Sequence, residues 1–503
     1  MKGTTCPKIQ TLMIILLMIA GSVLPLLQPG TAHAEAAPHA VDTARIDNFV
    51  ESMLEKLDVP GMAVGIVKGD QIVYTQGYGH SGPDGQPVTP QTPFILGSSS
   101  KSFTALAIMQ LVEQGKIDLN APVQRYLPEF ELEDKEASKT ILVRHLLNHS
   151  SGISTRHGRT AFTNTASTID ELIHGLKNTP LTEPVGTQYQ YSNANYDILG
   201  GIIQAVSGKS YAEYIQDHVY SPLDMKNSYT STSEAKKHGL ATGYKSIFGF
   251  MAPFEQPDNP SMLASAYLIS SAEDMSHYLV AQLNGGKFHD ISVAATESVA
   301  QMHQPAIKDP ATGGEYGMGW EIAHGVVQHA GDVESFHADM KLDGDIGVVV
   351  LMNAHDYAVR AFKLGMVADG ILEIMHGREP VDDAGSITGT YVLIDVISAA
   401  LMIMLGVSVF NLFKRKKSFR LTPLRIILFA FCLVLFNVVL PIAVLYGFSH
   451  TFAPWSVVFS FLPGLGHLAF VLSILSLVIG AAKLIVLVHG LRLHRMKESG
   501  NTI

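Results

Sequence analysis

Cysteine is almost absent from these 503 residues. The two that occur, Cys6 just ahead of one apolar run and Cys432 inside another, are too few for a disulfide framework or a cysteine-rich metal site. Charge is sparse as well: charged residues make up 16%, against roughly 25% in ordinary soluble domains. With a mean hydropathy of +0.21, that shortage points to membrane segments. Positive charge is scarce in the middle of the chain. Of a net −10, residues 386–503 contribute +8, from ten Lys/Arg against two Asp/Glu, and residues 1–34 contribute +2, from Lys2 and Lys8, which leaves −20 for residues 35–385. A part that acidic is a poor grip for nucleic acid, and no nucleic-acid partner is expected. No Gly-rich phosphate loop followed by Lys-Ser/Thr occurs, and no His-Glu-x-x-His. His145 and His149 stand four apart, a spacing that predicts one shared helix face, but no third ligand is near, so neither a metal nor a cofactor is expected.

The apolar residues are concentrated at the two ends. Lys2 and Lys8 precede an apolar run over residues 11–27, and Ala32 and Ala34 flank His33, a pattern that predicts a signal peptide over 1–34. An uncleaved N-terminal anchor is the alternative. Residues 391–413, 426–448 and about 468–488 are each near the ~20 apolar residues a helix needs to cross a bilayer. Lys414, Arg415, Lys416, Lys417, Arg420 and Arg425 crowd the first connection, while residues 449–466 carry no Lys or Arg. This asymmetry predicts a multi-pass protein of a bacterial cell membrane, with a C-terminal membrane domain over 386–503 and the large part outside the cytoplasm. Lys483 is expected to snorkel toward the cytoplasmic end of the third span.

Residues 35–385 form the globular part. A helix is predicted near 46–57, then strands over 61–68 and 71–78 joined at Gly69-Asp70. A second hairpin is predicted late, with strands over 336–342 and 347–353 flanking Asp343-Gly344. Between the hairpins the periodicity is mostly helical; Phe103, Leu106, Ala107, Leu111 and Val112 form one stripe and Gly115 a stop. Strands at both ends with helices between predict an α+β domain whose antiparallel sheet is assembled from both termini. Residues 384–389 read as a short linker.

Three short motifs can carry chemistry. Ser98-x-x-Lys101 puts a hydroxyl and an amine on one face of a helix start, where a desolvated lysine can take the serine proton. The same spacing recurs at Ser233 and Lys236. Tyr191-x-Asn193, on a loop before a helix starting near Tyr196, offers a phenol that could relay a proton, held partly as phenolate, and an amide able to bridge a lysine and a substrate carbonyl. His329-x-Gly331 lies at the end of a β-prone run. There Gly331 would admit a substrate backbone, and the Asp332 N–H could join that of Ser98 as an oxyanion donor. His329 titrates near neutrality and predicts a pH-sensitive activity.

In this order the three motifs resemble those of the serine β-lactamase and penicillin-binding-protein superfamily, most like its class C β-lactamase and DD-peptidase branch. The likeness covers about residues 45–375 and includes the phrases Leu146-Leu147-Asn148-His149-Ser150-Ser151-Gly152 and Tyr316-Gly317-Met318-Gly319-Trp320. It implies a β-lactamase/transpeptidase-like fold, an antiparallel sheet flanked by helices plus a helical subdomain, followed by three transmembrane helices. It also implies Ser98 as acyl-accepting nucleophile, Lys101 as its proton partner and Tyr191 as general acid/base. Asn193 would orient Lys101 and substrate, and His329 would stand where true β-lactamases usually have lysine, a form found in DD-peptidases and D-aminopeptidases. Asp332 and Ser335 replace glycines common in relatives. A secreted domain of this class with three membrane helices is similar to the membrane-bound peptidases that remove an N-acyl-D-amino-acid cap from prodrugs, although Ile95 stands where the colibactin-maturing member reads its cap with Glu. The resemblance thus implies a serine hydrolase acting on an amide or ester, a peptide-like or ester small molecule containing a D-amino acid, with the lipid bilayer as its other partner. A slow or non-catalytic penicillin-binding sensor or scaffold, and an esterase of the same fold, are the alternatives.

Overall fold

The computed structural model describes residues 41–163, 166–414 and 422–500; the expected signal peptide over 1–34 and most of the basic stretch after Lys414 lie outside them. Helix α1 (Thr43–Leu57) starts where the Asp42 side chain accepts from the Arg45 N–H, and it stops at Asp58 in the left-handed region. Strands β1 (Gly61–Lys68) and β2 (Gln71–Gly79) follow as the first hairpin. The second is β8 (His337–Asp343) with β9 (Ile346–Met352). Before it come β3 (Ile307–Lys308), β4 (Glu315–Tyr316), β5 (Glu321–Ala323) and one continuous strand in two parts, β6 (residues 326–328), which pairs with β5, and β7 (residues 329–332), which runs on past the end of β5.

The sheet runs β2-β1-β9-β8-β6/β7-β5-β4-β3, with β6 and β7 one strand, antiparallel throughout, and β1 lies against β9 in register Met62 to Met352. Strands from the two ends of the domain therefore meet at its centre. β1 shows why its sequence is an apolar run with no alternation. Met62, Val64 and Ile66 pack in one core with α1 and α5 (Met366–Met375), while Ala63 and Val67 join the larger core on the other face. Both faces of the sheet are covered, so both sets of side chains must be apolar.

The helical residues fill the chain between β2 and β3. Helix α2 (Ser100–Glu113) departs from the amphipathic expectation: every residue from Ser100 to Leu111 is buried. It is enclosed by helix α3 (Asn193–Ser207), the turn Leu263–Tyr267 and the helix Thr296–Met302, so no side of it faces water. Helix α4 (Ala272–Leu283) covers the β1 face at Gly65, where a Cβ would stand 2.3 Å from Ser276 Oγ.

Among the described residues, three helices are long and apolar enough to cross a membrane: Ile387–Leu412, Ile426–Phe452 and Leu465–His489. The expected linker before them is not free. Ala384 and Ile387 are buried, Lys363 donates to the Ala384 carbonyl, and Tyr391 packs in the α1 core beneath the Arg360 guanidinium. Lys483 also departs from expectation, since its Nζ donates to Asn437 Oδ1 at 2.9 Å, and the Asn437 amide donates in turn to Ser476 O. A polar acceptor on the neighbouring helix draws the ammonium inward.

Candidate active site

Ser98 lies in a single turn, Gly97–Ser99, ahead of α2. From Thr92 to Leu111 it is the one residue that is not buried. Two glycines let the turn meet strand β7. Gly97 has φ +54, and a Cβ on it would stand 2.4 Å from the Asp332 nitrogen; a Cβ on Gly331 would stand 2.0 Å from the Leu96 oxygen and 2.7 Å from the Ser98 nitrogen. Only bare backbone fits on either side. Ser99 Oγ ties the two together by donating to the His329 carbonyl at 3.0 Å. Beyond Gln328 the outer edge of β7 leaves β5, so the segment 329–332 passes the Ser98 backbone in place of another strand.

Lys101 is fully buried, contrary to the solvated charge that a first-turn lysine ordinarily is. Its Nζ donates to Ser98 Oγ at 2.9 Å, Asn193 Oδ1 at 2.8 Å and the Ser265 carbonyl at 2.8 Å, and sits 4.7 Å from the Tyr191 ring centroid. Burial pushes its pKa well below the usual lysine range, while the Asp197 and Glu321 carboxylates pull back. Asp197 is buried one turn after Asn193 on α3, and burial raises its carboxyl. Lowered to about 7, the lysine is in part a free amine at neutral pH; in that form its two N–H groups stay on Asn193 and Ser265 and its lone pair can accept the Ser98 proton.

Tyr191 lies on the loop before the helix, as expected, but α3 begins at Asn193 itself and not near Tyr196. Burial holds the Tyr191 phenol well above its ordinary pKa, against a lowering contribution from Ser98. It is therefore a neutral hydroxyl at physiological pH, not a partial phenolate. Beneath it, His149 packs at 4.4 Å from the Tyr191 ring and 4.8 Å from Tyr316. His149 takes φ +58 after the helix Val143–Leu147 has ended, so it shares no helix face with His145. Its Nδ1 accepts from the Ser192 N–H and the Asn195 amide. Among the described residues no group of three or more His, Cys, Asp or Glu is arranged to hold a metal ion.

His329 is buried within the continuous strand β6/β7 and not exposed at a strand end. Its Nδ1 lies 2.7 Å from the Ala330 carbonyl, which can only accept, so Nδ1 carries the proton and Nε2 accepts from the Tyr316 hydroxyl at 3.0 Å. Burial, then the Lys101 charge, pushes its pKa down to about 3. The expectation that His329 titrates near neutrality is thereby corrected: it stays an uncharged hydrogen-bonding group. Asp332 points away from Ser98 toward two histidines, with His337 Nδ1 at 2.7 Å and His355 Nε2 at 3.1 Å from its Oδ1. Ser335 donates to Gln256 Oε1 at 2.9 Å. The two departures from glycine thus have partners of their own.

The structure gathers Ser98, Lys101, Tyr191, Asn193, His329, Gly331 and the Asp332 backbone about one cleft. The second Ser-x-x-Lys does not reach it, since Lys236 pairs with Glu255 on an exposed helix. Asp197, Tyr316 and the Ser265 carbonyl were not legible as site groups. Asp197 carried one usable signal, the one charged residue of its helix, four positions after Asn193.

A serine hydroxyl on a buried lysine, a phenol beside it and a glycine-bearing strand across the cleft define the serine hydrolase superfamily of penicillin-binding-protein and β-lactamase type. Residues 46–369 match the Beta-lactamase family model, and the chain belongs to that family. It is 31% identical over 318 residues to the protein Flp of Staphylococcus aureus strain MW2, a match spanning 61% of this chain and 62% of that one. Among solved structures it is similar to the octameric penicillin-binding protein homologue from Pyrococcus abyssi, with a TM-score of 0.61 and 30% identity, covering 68% of this chain and 79% of the other. The fold is of the β-lactamase and penicillin-binding type, an antiparallel sheet with helices, followed by the three apolar helices.

Proposed function

We propose that this protein is a membrane-anchored serine hydrolase that forms an acyl-enzyme on Ser98 from an amide or ester, with the catalytic part outside the cytoplasm. The observation that carries the reading is the buried Lys101 amine, 2.9 Å from Ser98 Oγ. In its neutral form, which desolvation favours, Lys101 takes the Ser98 proton as Oγ attacks the carbonyl carbon. The backbone N–H groups of Ser98 and Asp332 receive the oxyanion. Tyr191 gives its proton to the leaving nitrogen or oxygen, and the Lys101 ammonium near its ring stabilises the phenolate that results. In the second half Tyr191 takes a proton from water, the hydroxide attacks the acyl carbon, and Lys101 returns its proton to Ser98 Oγ.

The charge about the cleft supports a choice of substrate. His329 is uncharged where true β-lactamases usually carry lysine, so it offers no cation to a substrate carboxylate. Asp332 is matched by His337 and His355, and Asp339 by Lys341, so the negative charge added there is the partial one of Glu321, whose buried carboxyl is raised to about 7. A neutral or amine-bearing acyl group, such as a D-aminoacyl amide or ester, suits this field better than a free carboxylate. Intact-protein mass after incubation with a small fluorophosphonate, with benzylpenicillin and with D-alanyl p-nitroanilide, for wild type and Ser98→Ala, tests the reading. The expected result is a fluorophosphonate adduct that requires Ser98, turnover of the anilide and slow reaction with penicillin. A wild type that takes no adduct at Ser98 overturns it.

A further inference from the structure

The segment joining the second and third apolar helices folds back onto the globular part. After Phe448–Phe452 the short helix Trp455–Phe461 follows. Ala453, Val457 and Phe461 are buried there, with Phe162, Tyr357 and Phe452 packed against them. Ring contacts of 4.9 Å between Phe461 and Phe162, and of 5.3 Å and 5.7 Å from Tyr357 to Phe461 and Phe452, make this an aromatic joint.

The segment reaches the cleft by two separate routes. One passes through the helix Thr155–Thr160. Arg156 Nε donates to the Ser449 carbonyl at 2.6 Å, and Arg159 Nη1 donates to the Phe452 carbonyl at 2.9 Å with its guanidinium 4.4 Å from the Phe452 ring. That helix rests directly on the turn bearing Tyr191 and Asn193. A Cβ on Gly158 would stand 2.5 Å from the Asn193 nitrogen, and Ser192 Oγ donates to the Ser154 carbonyl at 3.1 Å.

The other route passes through the end of the oxyanion strand. Ser460 Oγ donates to Glu334 Oε1 at 3.3 Å, two residues after Asp332. Glu334 is buried and also accepts from the Gln256 amide at 2.6 Å and the Tyr267 hydroxyl at 3.1 Å. Tyr357, gripped by the two phenylalanines, presses its ring on His355 at 4.7 Å, and His355 faces Asp332.

Both walls of the cleft, the Tyr191 turn and the Asp332 strand, are braced by one segment that belongs to the apolar helices. We propose that residues 448–461 are a positioning element of the Ser98 site, which sets Tyr191 and the Asp332 backbone against Ser98. The inference rests on the acyl-enzyme reading. Displacing a proton donor by about 1 Å costs on the order of 10²-fold in rate, so a brace of this kind governs turnover more than binding.

The test uses the full chain in detergent, with p-nitrophenyl butyrate as substrate and a small fluorophosphonate as probe. In the double variant Arg156→Ala/Arg159→Ala, kcat and the rate of Ser98 labelling are expected to fall about ten-fold or more, with KM changed by less than about three-fold. Arg156→Lys/Arg159→Lys, which can still donate to both carbonyls, should recover most of that rate. Wild-type rates in the alanine variant overturn the inference. So does a loss that lysine fails to rescue and that follows a fall in Tm, since that is plain destabilisation. A wild type that takes no label at Ser98 overturns the acyl-enzyme reading itself and the inference with it, an outcome distinct from labelled wild type with an unaffected variant.

Discussion

His337 donates from Nδ1 to Asp332 Oδ1 across 2.7 Å, at the end of the strand that passes Ser98. Burial works against charge on both partners. Even so, the Asp332 carboxylate raises the His337 pKa, and His355 and His337 hold Asp332 well below the usual carboxylate range. The two signs differ. The His337 contribution is fully present below its unfolded value and is lost as pH rises through the raised one; that of Asp332 is present above its unfolded value and is lost as pH falls toward the depressed one. The pair is strongest between roughly pH 4 and 6.5. Asp332→Asn should therefore cost about 3 kcal/mol at pH 5.5 and less at pH 8.5. Thermal unfolding at the two pH values checks this, and a cost independent of pH contradicts it.

Activity should rise with pH along an acid limb set by Lys101. Burial lowers that lysine, so its free base is populated well below the ordinary lysine range, and protonation on the acid side removes the acceptor for the Ser98 proton. His329, at about 3, contributes no limb near neutrality. The kcat/KM profile of His329→Gln should keep the wild-type midpoint while its height falls. A midpoint that moves by a full pH unit would restore His329 as the titrating group.

Lys101 and Asp197 should be coupled in stability and uncoupled in activity. Lys101→Met removes the donor to Asn193, Ser265 and Ser98 and leaves Asp197 buried beside a thioether. Its loss of stability, about 1–3 kcal/mol, should be partly recovered in the double variant with Asp197→Asn, by about 1 kcal/mol, while turnover stays absent. Additive Tm changes would show that the two side chains do not sense each other.

Gly331→Ala should block the cleft with little room for relief, because the new methyl meets backbone on the Leu96–Ser99 turn and not a flexible side chain. Stability should drop by about 1–3 kcal/mol and Ser98 labelling by on the order of 10²-fold or more. Ser233→Ala, on the exposed second Ser-x-x-Lys, should leave both unchanged; equal effects from the two variants would mean that the nucleophile has been misassigned.

Both hairpins could be read from local chemistry. Gly69-Asp70 and Asp343-Gly344 are turn residues between β-prone runs, and such signals survive in any tertiary context. The pairing of Ser98 with Lys101 was legible for the same reason, being one helical turn. What escaped the sequence is what the rest of the fold imposes. The burial of α2 on all sides depends on α3, the turn Leu263–Tyr267 and the helix Thr296–Met302; the neutrality of His329 and Tyr191 depends on desolvation by residues far along the chain. Residues 384–389 read as a linker because small and polar residues mark loops, yet Ala384 and Ile387 fill a core whose other members begin at Ile46. The docking of residues 448–461 has no local signal at all, since its partners Arg156, Arg159 and Glu334 lie more than a hundred positions away.

The meeting of the two chain ends at β1 and β9 dictates an order of events during synthesis. Gly61 donates to the Asn353 side chain, 292 positions later. At ribosomal rates of roughly 5–20 residues per second, β1 waits on the order of 15–60 s for its inner neighbour to be made. Through that interval β1 and β2 are a lone hairpin with apolar residues on both faces. Completion of the domain comes only when the first apolar helix is about to emerge, so the nascent chain must be shielded, and this protein is one whose yield should depend on chaperones as much as on its final stability.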